Sequence, residues 1–77
     1  MTFPQKVLAD LLFGASSTSY IAERTDQPES YILAVLKDEE IAGTVVSRPL
    51  HTFHVWSLTN EGRAIAETFP KEPKFPD

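Results

Sequence analysis

Residues 21–45, IAERTDQPESYILAVLKDEEIAGTV, decide the architecture of this 77-residue chain. Ile21-Ala22-Glu23-Arg24 reads as a short helix ending near Thr25. The set Asp26-Gln27-Pro28-Glu29 then predicts a helix start at Asp26, with a capping residue, a first-turn proline and an acid at the third position. Ile32, Val35, Leu36 and Ile41 form the apolar stripe of this second helix, and Gly43 stops it. Two helices joined by a tight polar turn therefore sit at the centre of the sequence.

Upstream, Pro4 suits a first helical turn. Val7, Leu8, Leu11 and Leu12 follow on one face, and Gly14 ends a helix over roughly 4–13. Ser16-Ser17-Thr18-Ser19 is a connecting loop rich in helix-capping residues. Downstream of Gly43 the periodicity changes. Residues 44–48 and 53–58 are rich in β-branched and aromatic side chains, and Pro49-Leu50-His51-Thr52 joins them as a hairpin connector. Thr59 caps a last helix of about 60–68, anchored by Ile65 and Phe69. Residues 70–77 hold three prolines and predict an extended, disordered tail, leaving one domain over 1–69.

Composition narrows the function classes. The chain lacks cysteine and has a net charge of −4. Proteins that coat nucleic acid nonspecifically draw their affinity from many Lys and Arg contacts to phosphate, so the charge argues against that class and leaves room for a few well-placed contacts. No apolar run approaches the roughly 20 residues of a membrane span, and no signal peptide is visible, so a cytoplasmic protein is expected. Catalysis finds no support. There is no thiol nucleophile and no glycine-rich phosphate loop. His51 and His54, the only histidines, point to opposite faces of a strand and make a poor metal pair. The reading is a non-enzyme without cofactor or metal.

The order helix, helix, helix, hairpin, helix brings a resemblance into view. Ile21-Ala22 opening a helix, the polar turn, Leu36-Lys37 and Gly43-Thr44-Val45 resemble the helix-turn-helix of bacterial winged-helix regulators. Trp56-Ser57-Leu58-Thr59-Asn60-Glu61-Gly62-Arg63 resembles the segment that leaves the wing and starts the last helix in MarR-like and PadR-like proteins. The resemblance spans roughly residues 5–68, and by size alone the chain is similar to small regulators of fimbrial operons. It implies an α+β, mostly α fold: a winged helix-turn-helix of three helices, a two-stranded β-hairpin wing and a C-terminal helix. Two features depart from the family. Glu39 stands where a third core leucine is usual, with Ile41 as its substitute, and the long dimerisation helices are missing.

The resemblance further implies a transcriptional regulator that binds double-stranded DNA. The third helix would enter the major groove and the wing would follow the backbone or a minor groove. Off the apolar stripe of that helix lie Glu29, Ser30, Tyr31, Leu33, Ala34 and Lys37. Ser30 and Tyr31 offer hydrogen bonds to bases or phosphates, and Lys37 offers a charge to phosphate. Thr18 and Ser19 present hydroxyls at the start of the second helix. Residues 18–41 nevertheless hold only Arg24 and Lys37 against Glu23, Asp26, Glu29, Asp38, Glu39 and Glu40. Residues 44–58 hold Arg48 and both histidines and no acid. The wing is thus expected to carry the electrostatics, with Arg48 beside or inside a minor groove and His51 close by. The competing reading is a protein-interaction module, a small accessory or phage-type protein that docks through Glu29, Tyr31, Leu33 and Phe53 and leaves DNA alone. A homodimer is a further expectation, through Phe3, Phe13 and the apolar face of the first helix.

Overall fold

A computed structural model describes residues 2–69. Its elements are α1 (Phe3–Leu11), β1 (Ser16–Ser17), α2 (Thr18–Thr25), α3 (Glu29–Ala42), β2 (Val45–Leu50), β3 (Phe53–Leu58) and α4 (Asn60–Ala66). The expected order of helices and hairpin is present, and the proline-rich tail lies outside the described residues.

Local chemistry explains most boundaries. Thr2 caps α1 reciprocally: its Oγ1 accepts the Gln5 N–H at 3.3 Å, and Gln5 Oε1 accepts the Thr2 N–H at 2.9 Å. Pro4 sits in the first turn, as expected. Ser17 caps α2 by accepting the Tyr20 N–H at 3.3 Å. The start of α3 departs from the sequence reading. Asp26 closes α2 in a left-handed conformation (φ 58°) instead of opening α3. Aspartate tolerates that conformation, because its short polar side chain offsets part of the steric cost. Pro28, expected within the first turn, is instead the N-cap just before it, and no side chain caps α3. Gly43 ends α3 at φ 88°, a conformation that favours glycine.

The serine-rich loop contains an additional strand. Ser16 and Ser17 pair with Trp56 and Val55 of β3, giving a three-stranded antiparallel sheet in the order β1-β3-β2 in place of a plain hairpin. β2 and β3 pair from Val45–Leu58 to Leu50–Phe53, so the loop between them is only His51-Thr52. His51 takes φ 58° there. β2 is a free edge, and Pro49 within it removes one backbone donor, which blunts pairing with another chain.

The core joins every layer. Val7, Leu8 and Leu11 from α1, Ile21 and Ala22 from α2, and Ile32, Val35 and Leu36 from α3 close over Val45, Trp56 and Ala66. Phe3, Leu12, Leu58 and Phe69 cover its rim. Two expected anchors lie outside it. Ile41 is 86% exposed and Ile65 is about half exposed. In α4 the inward positions are instead Gly62 and Ala66. Gly62 is required by closeness: a Cβ built there would lie 1.9 Å from the Thr44 carbonyl oxygen. The same junction is tied by Thr59, whose N–H donates to Thr44 O (3.0 Å) and whose hydroxyl donates to Gly43 O (2.7 Å). Thr59 Oγ1 in turn accepts the Gly62 N–H at 3.0 Å.

Polar links fix the first two helices. Arg24 donates to Asp10 from both Nε and Nη2, with the shortest contact at 2.7 Å, and also to Ser16 Oγ at 2.6 Å. The guanidinium pKa is raised, first by the hydrogen bond to Asp10 and also by its charge. Arg24 is therefore committed to bridging α1, α2 and β1.

Candidate nucleic-acid interface

At 3.6 residues per turn, α3 presents two opposite faces. Ile32, Val35 and Leu36 point into the core. Ser30, Ala34, Lys37 and Ile41 follow one another at spacings of four, three and four residues along the opposite face, and all are exposed. Leu33 borders this stripe on the side nearest the hairpin and is 40% exposed. No acid falls on the stripe itself. Glu29 and Glu40 flank it on the hairpin side and Asp38 on the other. Glu39 turns inward, where its Oε1 accepts the Thr44 hydroxyl at 2.7 Å.

Between α3 and the hairpin runs an open groove of about 480 Å³. Thr18, Ser19, Glu29, Leu33, Lys37, Glu40, Ser47, Phe53, His54 and Trp56 line it, together with Ser17. The groove thus gathers Thr18, Ser19 and Lys37 with Glu29, Leu33 and Phe53, residues that the sequence assigned to two competing surfaces. Trp56 is buried, and its Nε1–H donates to Thr18 Oγ1 at 2.9 Å. One lone pair of Thr18 is therefore occupied, and its hydroxyl is held at the groove wall. Ser19 is exposed, with its Oγ 3.3 Å from Ser17 Oγ.

Arg48, His51 and Tyr31 lie outside this groove. Arg48 is exposed opposite Val55, on the face of β2 that also carries Val46 and Leu50. Ser47 and Pro49 occupy the other face. His51 is exposed at the hairpin tip. Tyr31 lies on the α1 side of α3, where its ring stacks on Phe3 with centroids 4.9 Å apart and planes 11° from parallel. That stack also covers Phe3. With Val7, Leu8 and Leu11 buried, the surface expected for a dimer shrinks to Phe13, which is 93% exposed.

His54 is a groove residue that the sequence reading left without a role. Strand parity was available as a signal, since His54 shares a face with Trp56. Among the described residues no group of three or more His, Cys, Asp or Glu side chains is placed to hold a metal ion. No described helix is long and apolar enough to cross a membrane.

No protein-family model and no curated protein sequence matches the chain. Solved structures do. A variant of Lactococcus lactis ZitR superposes with a TM-score of 0.78 at 22% identity, over 87% of this chain and 49% of that one. AF1382 from Archaeoglobus fulgidus gives 0.78 at 23% identity, over 83% of this chain and 76% of that one. The MarR family transcriptional regulator SPO1453 from Silicibacter pomeroyi gives 0.75 at 26% identity, over 84% of this chain and 48% of that one. The chain has the winged-helix fold. In winged-helix terms, α2 and α3 form the helix-turn-helix and the β2–β3 hairpin is the wing. This winged-helix chain spans about half the length of ZitR and of SPO1453.

Proposed function

We propose that the chain is a small, sequence-specific DNA-binding transcriptional regulator that acts through α3 and the wing, without catalysis. The observation that supports this best is the open, acid-free outer stripe of α3, on a fold shared with a chain described as a transcriptional regulator. In this reading α3 enters the major groove. Ser30 supplies a hydroxyl and Lys37 a cation along the stripe. Ser19 and the hydroxyl proton of Thr18 serve the backbone from the groove wall. Arg48 and His51 reach a second stretch of backbone or a minor groove from the wing. Tyr31, stacked on Phe3, supports α3 from behind and contributes only its exposed edge.

The charge pattern sets the strength of binding. Glu29 and Glu40 flank the stripe and oppose phosphate, and Arg24 is engaged with Asp10. Few cations remain, so one copy binds weakly and two copies on paired half-sites supply useful affinity. Fluorescence-anisotropy titration of labelled mixed-sequence duplex tests this. With two or three phosphates neutralised, affinity falls about tenfold or more between roughly 50 and 200 mM salt. Absence of binding at the lower salt overturns the proposal and favours a protein-docking role for Glu29, Leu33 and Phe53.

A further inference from the structure

We infer that α3 reads thymine methyl groups, so that the target carries thymines beneath Leu33 and Ala34. The inference rests on the DNA-binding reading above and specifies which base features that site recognises.

Residues Glu29–Ala42 include no Arg, Asn or Gln, and Lys37 is the one side chain there of the kinds that make paired hydrogen bonds to guanine or adenine in the major groove. The outer stripe offers one hydroxyl at Ser30 and one ammonium at Lys37. Between them stand Leu33, 40% exposed, and Ala34, both purely hydrocarbon. Ser30 and Lys37 are seven residues apart, about 10 Å along the helix, which spans roughly three base steps. The two polar groups therefore bracket the apolar pair within one short run of bases.

Only one base presents hydrocarbon in the major groove, and that is thymine through its C5 methyl. Leu33 and Ala34 gain by covering that methyl. Cytosine in the same position lacks that methyl, so Leu33 and Ala34 cover no hydrocarbon there.

The test uses the full chain and selected DNA. Duplexes are enriched from a random pool, and each thymine of the selected core is then replaced singly by deoxyuridine, which removes only the methyl. The expected result is one or more positions where affinity drops about fourfold, the factor for one buried methyl group. At those positions a Leu33→Ala variant responds less to the replacement, and because Leu33 is exposed the variant keeps its fold. Binding that is indifferent to complete deoxyuridine replacement, or a selected core without thymine, overturns this inference and leaves the DNA-binding reading intact. Failure to enrich any duplex overturns both.

Discussion

The two long faces of α3 are both largely apolar, yet they serve opposite ends. Ile32, Val35 and Leu36 are sealed against α1, α2 and the sheet, whereas Leu33, Ala34 and Ile41 face solvent. Hydropathy alone does not separate the two sets. Position around the helix does, and it divides residues that hold the fold from residues available to a partner. The same division holds in the sheet, where Trp56 is buried and Arg48, one strand away, is open.

Substitutions that respect or violate this division rank by size. Gly62→Ala should be the most damaging, because its methyl has no room beside the Thr44 carbonyl. A loss above about 3 kcal/mol is expected, enough to leave so small a domain largely unfolded in a thermal melt. Leu36→Ala, on the inner face, should cost about 3 kcal/mol by denaturant titration. Arg48→Ala should leave the melting temperature in place and weaken DNA binding about tenfold, roughly 1.4 kcal/mol. Full affinity in that variant would remove the wing from the interface. Asp10→Ala should lower stability by up to about 1 kcal/mol, since the Arg24 side of the pair is half exposed. Ile41→Ser should change stability by less than about 0.5 kcal/mol, and a larger loss would show that the outer face is not free.

The architecture was largely legible in the sequence because its signals are local. Caps at Ser17 and Thr59, the stop at Gly43 and the switch to β-branched residues after it each act over a few positions. The errors arose where local chemistry admits two outcomes. Asp26 both caps helix starts and tolerates left-handed backbone, and with Pro28 two residues on it closes α2. Ser16 and Ser17 have weak strand character, and only their tertiary pairing with Val55 and Trp56 makes them β1. Ile41, expected on the inner stripe, sits where helical spacing puts it. It lies nine residues after Ile32, two and a half turns, which puts it on the far side. Glu39, seven residues after Ile32, points inward and satisfies its carboxylate on Thr44. The candidate site was harder to read, because the contacts that sort its residues are nonlocal. Tyr31 is drawn to Phe3, Arg24 to Asp10 and Thr18 to Trp56, and none of these pairings is written in spacing.

Amide chemical-shift mapping by NMR during titration with a selected duplex tests the central claim most directly. The largest shifts are expected at Ser30, Ala34 and Lys37 on α3 and at Arg48 and His51 on the wing, with Ile32, Val35 and Leu36 moving far less. Shifts confined to α1 and α4, with α3 and the wing unperturbed, would contradict it.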